Sequence, residues 1–124
     1  MAADIVTQVG KNAVAEKLGG LGSVSNFTYL ALGSGTITAT TGDTQLQTEL
    51  TDSGLARAAS TISTDAANVL QLVHLWEATE VKNVEEVGVL NDASAGVLLA
   101  RSTFSQIPLQ TDDTLMVTYK ITVN

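Results

Sequence analysis

The side chains most able to do chemistry in this sequence are one histidine, several neighbouring carboxylates and a glycine-flanked serine. His74 is the only histidine and the chain has no cysteine, which excludes multi-histidine and thiolate metal sites. A single histidine two residues before Trp76, in an apolar run, is more typical of a packed and hydrogen-bonded residue than of a catalytic base. We therefore expect His74 to pack in a core or an interface.

The carboxylates could act in acid–base catalysis or bind calcium. Glu85 and Glu86 are adjacent in a strand-like run and so point to opposite faces, which argues against shared acid–base work. The Asp-x-Asp-x-Asp-Gly spacing of a calcium loop is absent. Five aspartates lie at turn signals, where this side chain typically caps backbone amides: Asp43, Asp52, Asp92, Asp112 and Asp113.

Gly33-Ser34-Gly35 is the segment closest to a phosphate cradle. It lacks the lysine of a P-loop and the third glycine of a dinucleotide site, so a tight turn between strands is the better interpretation. No serine lies in a Gly-x-Ser-x-Gly nucleophile pattern. We expect no catalytic residue, no cofactor, no metal and no small-molecule substrate, and hence no enzyme.

Two of the six basic residues, Arg57 and Arg101, lie in predicted strands. An arginine held in a sheet normally pairs with a carboxylate. Pairing with a glutamate of the same chain is favoured over pairing across a subunit interface, and both alternatives remain open.

The composition limits the classes of partner. A length of 124 residues fits a single domain, 1–124. The net charge of -7 repels phosphate backbones, so we expect no nucleic-acid partner. No run is long enough to span a bilayer, and the start lacks the basic region of a secretory signal, so we expect neither a membrane partner nor a leader. A charged fraction of only 15% suits a surface partly covered by neighbours.

One helix is predicted, over residues 4–18. Its apolar residues recur at helical spacing, Asp4 is a plausible N-cap, and Gly19-Gly20 ends it. Gly10 weakens the helix by about 1 kcal/mol relative to alanine, so the helix needs tertiary or subunit contacts. It either caps the sheet core or serves as a docking arm on a neighbouring subunit.

The rest of the chain reads as short strands separated by turns. The best alternation of apolar and polar residues is in the last run, from Thr114 to Val123. A strong strand over 68–77 is apolar on both faces, which predicts a central strand or one with a face in an interface. Further strands are predicted at 26–32, 57–64, 84–90 and 97–104, with a helical turn at 45–50 and a break from Pro108 to Asp113.

This pattern predicts an all-β fold with one N-terminal helix, arranged as an antiparallel β-sandwich or jelly-roll. A small open barrel is the second choice.

The chain resembles a family of small structural proteins of tailed-bacteriophage virions, through short motifs in a shared order. They are Asp4-Ile5-Val6-Thr7, Tyr29-Leu30-Ala31-Leu32-Gly33, Gly42-Asp43-Thr44, Val84-Glu85-Glu86-Val87-Gly88, Gly96-Val97-Leu98-Leu99-Ala100-Arg101 and Thr111-Asp112-Asp113-Thr114-Leu115. The chain departs from the pattern at Val89, where an aromatic residue is expected.

The resemblance implies a capsid decoration (cement) protein on the outer surface of the virion. Its implied partners are the major capsid protein and further copies of itself, as a dimer or trimer. The surfaces expected to make these contacts are the helix and the two-sided strand, through Ile5, Val6, Val9, Val69, Val73 and Leu75. Similar domains occur in tail fibres, so the alternative is a tail-fibre or tail-tip module that binds a host receptor or glycan; a tail or neck adaptor is a third.

Overall fold

The computed structural model describes residues 3–123, with side chains from residue 5 onward. This part of the chain contains eight strands and one helix. In chain order they are β1 (Ala3–Val6), α1 (Gln8–Leu18), β2 (Tyr29–Gly33), β3 (Ala58–Ala59), β4 (Thr61–Ala66), β5 (Val69–Glu77), β6 (Lys82–Leu90), β7 (Leu98–Leu109) and β8 (Thr114–Thr122).

The strands form two sheets in which neighbouring strands are antiparallel. One sheet has five strands in the order β1-β7-β6-β2-β3, and the other has three in the order β4-β5-β8. The prediction of a mostly β chain with one helix near the N-terminus is therefore confirmed.

One buried hydrophobic cluster takes side chains from both sheets. Val87 and Val89 of β6 lie opposite Leu32 and Leu30 of β2 in the register. They share the cluster with residues of β5 and β8, namely Leu72, Trp76 and Tyr119. Burial of each aliphatic side chain contributes about 1.5–3 kcal/mol, so this alternation holds the two sheets in place.

The N-terminal helix is shorter than predicted, because residues 3–6 form an edge strand. β1 pairs with β7 from Ala3 opposite Thr103 to Val6 opposite Ala100. Thr7 is the N-cap, and its Oγ1 accepts a hydrogen bond from the Gly10 amide at 2.9 Å. The prediction of Asp4 as N-cap is wrong, because β-branched Ile5 and Val6 continue the strand up to Thr7.

Gly10 allows α1 to lie directly on β7. A Cβ at this position would be 2.6 Å from the carbonyl oxygen of Leu99. The glycine therefore supports a close helix–strand contact, which supplies the tertiary support that the sequence led us to expect.

Two predictions in the middle of the chain are wrong. Residues 45–50 form no helical turn, because their backbone amides bond elsewhere, as described below. The strand predicted over 57–64 is split between the sheets into β3 and β4. The split falls at Ser60, whose amide donates to the carbonyl of Thr28 at 2.8 Å.

β7 continues through the predicted break at Pro108, which lies opposite Asn83 of β6. β1 covers β7 only as far as Thr103, so the side of β7 away from β6 is open at residue 108. Proline within sheets is confined to open edges and irregular pairings, and Pro108 lies next to a register shift of the β6–β7 pairing.

Two of the long strands, β5 and β8, agree with the sequence pattern. β5 is the central strand of its sheet, as expected from its two apolar faces. In β8, Tyr119 is buried while its neighbour Lys120 is exposed, as the alternation predicts.

Candidate functional site

The most ordered polar arrangement is a buried ion cluster on the face of the five-stranded sheet that carries Glu86 and Arg101. The Arg101 side chain is 2% exposed and that of Glu86 0%. Arg101 Nε donates to Glu86 Oε1 at 2.8 Å, and a second guanidinium nitrogen donates to Asp43 Oδ2 at 2.9 Å. The remaining nitrogen donates to the carbonyl of Ile37 at 2.8 Å. All three arms of the guanidinium are thus engaged.

Glu86 also binds three backbone amides of the loop between β2 and β3. Its Oε2 accepts from Gly35 and Thr48, each at 2.8 Å, and its Oε1 accepts from Gln47 at 3.0 Å. Gly33 and Gly35 leave room for the carboxylate, which a Cβ at either position would contact. The Gly33-Ser34-Gly35 segment therefore does bind an anion through an amide, and that anion is the protein's own carboxylate. The interpretation as a tight turn between strands is wrong, because β2 ends at Gly33 and the next strand begins only at Ala58.

The cluster keeps its charges at neutral pH. Burial alone raises the pKa of Glu86, but the hydrogen bonds from Thr48, Arg101, Gln47 and Gly35 outweigh it and lower that pKa. For Asp43, burial is again outweighed, by hydrogen bonds from Thr40 and Arg101, and the pKa is lowered. Burial alone lowers the pKa of Arg101, but its two carboxylate partners outweigh burial, so the pKa is raised above its usual value.

This arrangement is built for anchoring and not for proton transfer. A general base needs a carboxylate with a free lone pair near a substrate and a pKa close to the working pH. Glu86 accepts four hydrogen bonds and is charged well below neutral pH. Among the side chains that the structure describes, every buried nitrogen and oxygen has a hydrogen-bond partner.

Arg57 forms a second anchor. It donates from two nitrogens to Glu49, at 3.0 and 2.7 Å, and to the carbonyls of Asp92 and Ala95 at 2.9 and 2.8 Å. Both arginines thus pair within the chain, as favoured from the sequence. Arg57 was predicted to lie in a strand, but it precedes β3 by one residue and so lies outside the strands of the structure.

His74 is half-buried on β5 and packs against Trp76, while the buried core cluster of the described residues does not include it. Its ring lies edge-on against Trp76, with ring centroids 4.6 Å apart, and the indole nitrogen of Trp76 donates to the carbonyl of Ala56 at 2.9 Å. Within the described residues, no group of three or more histidine, aspartate or glutamate side chains is placed to hold a metal ion.

A groove of about 820 Å³ lies between α1 and strands of both sheets. We call it the helix groove. Its floor is mostly apolar and its charged residues are two lysines; the lining residues are Val6, Lys11, Val14, Lys17, Asn26, Phe27, Thr28, Ile62, Leu70, Leu99, Ile121, Thr122 and Val123. None of the described lining residues is a carboxylate, which on a chain of net charge -7 is a local departure from the average surface.

The six residues predicted to make interface contacts do not form one surface. Val6 lines the helix groove and is 37% exposed, whereas Val9 is half-buried beside the β6–β7 turn. Ile5 is half-buried and lies opposite Arg101 in the register. Val69, Val73 and Leu75 share the outer face of β5, where Leu75 is 58% exposed next to Met116 of β8 at 63%.

The ion cluster was not predicted from the sequence as a unit. Glu86 was considered only as a partner of Glu85, and Arg101 only as half of an unassigned ion pair. The available signal was a glutamate inside an apolar run, with an arginine in the next strand of the same hairpin. A buried carboxylate requires such a partner. No sequence signal marked the amides of the β2–β3 loop as its other ligands.

Comparisons of this chain with family models, with curated proteins and with solved structures found no match. The resemblance to bacteriophage virion proteins therefore stays a prediction. Within residues 3–123, no helix is long and apolar enough to cross a membrane.

Proposed function

We propose that this chain is a structural protein of a tailed-bacteriophage particle, namely a cement subunit that binds the outer shell of the capsid. In this proposal the two sheets form a β-sandwich, and the surface between α1 and the sheets meets the major capsid protein. The domain spans residues 1–124 and works as a rigid body whose α1 docks on a neighbour.

The helix groove is the observation that carries the proposal. Val6 and Val14 are each 37% exposed there, and Ile62 is 40% exposed. An exposed apolar surface of this kind, rimmed by polar residues, is typical of a protein–protein contact. Its amino groups suit an acidic partner surface, which would add specificity and a faster encounter.

The ion cluster supports the same function indirectly. Its charged groups hold the β2–β3 loop against the five-stranded sheet, which supports a loop of fixed position. A cement protein acts mechanically, because each copy adds contact area between neighbouring capsid subunits. Specific interfaces bury roughly 1,200–2,000 Å² each, and repetition over a shell multiplies a modest gain per site.

The test is binding to shells that lack this chain, followed by cryo-electron microscopy of the decorated particle. We expect many copies on the outer shell, with α1 at the contact. Val14→Glu, which places a charge in the helix groove, should abolish binding. Val81→Glu is the matched control, because Val81 is 61% exposed outside the groove, and it should bind normally.

Three results would contradict the proposal. Folded protein that fails to bind shells would exclude a cement role, and density at a few tail positions would point instead to a receptor- or glycan-binding tail module. Equal binding by Val14→Glu and the wild type would exclude the helix groove as the contact surface.

A further inference from the structure

The four edge strands of the two sheets differ in how they are protected against adding another strand. β1 has four residues and β3 has two, which is too short to template a long pairing. β4 is interrupted by a bulge between Thr64 and Ala66, with Asp65 at the irregularity. Bulges and charges of this kind oppose edge-to-edge association.

β8 has less protection, because its one lysine is paired with Asp65 of the same copy at 3.2 Å. It is nine residues long, contains no proline, carries one charged residue, Lys120, and keeps an unbroken register with β5 from Thr114 to Thr122. Within the described residues, no strand pairs with its other side. A long and regular open edge presents a row of unpaired amides and carbonyls to a further strand.

The flanking hydrogen bonds identify which residues of β8 face the open side. The Val123 amide donates to Asn68 at 2.9 Å, and the Ala78 amide donates to Asp113 at 2.8 Å. Antiparallel pairing alternates, so the odd-numbered residues of β8 bond to β5 and the even-numbered ones point away. The outward backbone groups belong to Thr114, Met116, Thr118, Lys120 and Thr122, whose side chains are all exposed.

We propose that β8 pairs with β8 of a second copy of this chain, antiparallel about a two-fold axis at Thr118. In the register of full overlap, Thr118 faces its own symmetry mate, Met116 faces Lys120, and Thr114 faces Thr122. The five outward-facing residues of each copy then supply about ten intermolecular hydrogen bonds. The two three-stranded sheets become one sheet of six strands.

The pattern of β8 suits a second copy in particular. In the dimer the two copies of Lys120 lie about 14 Å apart along the strands. This distance exceeds the screening length at physiological salt, so the two like charges repel each other little. On the inner face, half-buried Leu115 lies opposite Ile121 of the second copy, and Val117 lies opposite Tyr119. These side chains already pack against the core cluster, and the second copy completes their burial.

This pairing does not use α1, although Ile121 and Thr122 at the end of β8 also line one side of the helix groove. It does not depend on the proposed function. It is tested on the purified protein, without particles. A failure here therefore concerns the dimer alone, and a failure to bind shells concerns the cement role alone.

The first experiment uses the absence of cysteine from the chain. Facing residues of a hydrogen-bonded pair have Cα atoms about 5.5 Å apart, within the range of a disulfide. Thr118→Cys should therefore cross-link to a dimer under mild oxidation. Thr64→Cys, on the protected edge of the same sheet, is the matched control and should remain monomeric. Equal cross-linking of the two variants would overturn the proposal.

The second experiment measures the dimer constant by sedimentation. The wild type should dimerise, and Thr118→Pro should weaken dimerisation by at least about tenfold, because it removes two symmetric hydrogen bonds. Thr64→Pro should leave it unchanged, and circular dichroism would confirm that both variants fold. A monomeric wild type, or a dimer that survives Thr118→Pro, would overturn the proposal.

The third experiment fixes the register. Thr118→Lys and Thr118→Glu each place like charges at the two-fold axis, so each protein alone should be monomeric, and an equimolar mixture should form a heterodimer. A mixture that stays monomeric contradicts this register. A further result would also overturn pairing with a second copy: the wild type is monomeric, it binds shells, and Thr118→Pro abolishes that binding. The open edge of β8 would then pair with a strand of the capsid protein.

Discussion

Arg101 and Glu86 form an ion pair at 2.8 Å between side chains that are 2% and 0% exposed, on neighbouring strands of the five-stranded sheet. Breaking a buried pair by neutralising one partner typically costs 3–5 kcal/mol, because the other charge stays buried and unpaired. Here Asp43 still faces the guanidinium, at 2.9 Å. This relationship sets the expected response of the protein to mutation and to acid.

Glu86→Gln should lower the free energy of unfolding by about 3 kcal/mol. The amide keeps the shape of the side chain but removes the charge that faces Arg101, and its NH₂ group cannot accept the loop amides. Urea denaturation gives the value. Glu80→Gln, at an exposed site, is the control and should change stability by less than about 0.5 kcal/mol. A similar small change in Glu86→Gln would show that the cluster contributes little.

Stability should fall in acid because of the same carboxylate. The pKa of Glu86 is lowered from 4.5 in the folded chain, so the unfolded chain binds more protons in that range. The contribution of ionised Glu86 to the free energy of unfolding is fully present above about pH 4.5. It is lost as the pH falls through the lowered pKa of Glu86 in the folded state. Asp43, whose pKa is also lowered, acts in the same direction.

Urea unfolding between neutral pH and the acid limb measures this dependence. Below about pH 4.5, Glu86→Gln should lose stability less steeply than the wild type. At higher pH, the free energies of unfolding of the two proteins should depend on pH in the same way. Identical slopes in the acid range would assign the acid sensitivity to other groups.

Gly10→Ala should destabilise the protein, by about 1–3 kcal/mol. Alanine is the better helix former by about 1 kcal/mol, but its Cβ would meet the Leu99 carbonyl, which belongs to the backbone of β7 and cannot easily move. Ala15→Gly, at an exposed position of α1, is the comparison and should cost about 1 kcal/mol. Helix propensity alone predicts opposite signs for the two variants, so a stabilised Gly10→Ala would refute the close contact.

Thr7→Ala should cost about 1–2 kcal/mol, as for other N-caps, and thermal unfolding would detect it. The hydroxyl oxygen accepts from the Gly10 amide, and the same group donates to the Leu98 carbonyl at 2.5 Å. Thr7→Ser retains both bonds and should recover most of the stability. If Thr7→Ser is as unstable as Thr7→Ala, the lost methyl group and not the cap is responsible.

The elements that follow from local pattern were predictable. β5 and β8 agree with the sequence because their side chains alternate or are apolar on both faces, and such patterns depend only on the strand itself. The end of the helix at Leu18 also agrees, because consecutive glycines stop a helix wherever it lies.

The errors occur where distant residues compete for the same backbone. Residues 45–50 have the spacing of a helical turn, but Glu86 draws the amides of Gln47 and Thr48 out of that conformation. Residues 4–6 have apolar spacing that suits a helix, but the open side of β7 pairs with them first. Glu86 and β7 are both distant in sequence from the segments that they bind. These hydrogen bonds could therefore not be predicted before the strand pairing was known.

The Glu86 and Arg101 side chains hold the β2–β3 loop chiefly by its main chain: three amides and the carbonyl of Ile37, with Asp43 as the one side-chain partner. Main-chain groups are the same in almost every amino acid. Substitution of exposed side chains such as those of Ile37 and Thr48 should consequently leave these hydrogen bonds intact. The surface residues of the loop can therefore change while its backbone keeps the same position.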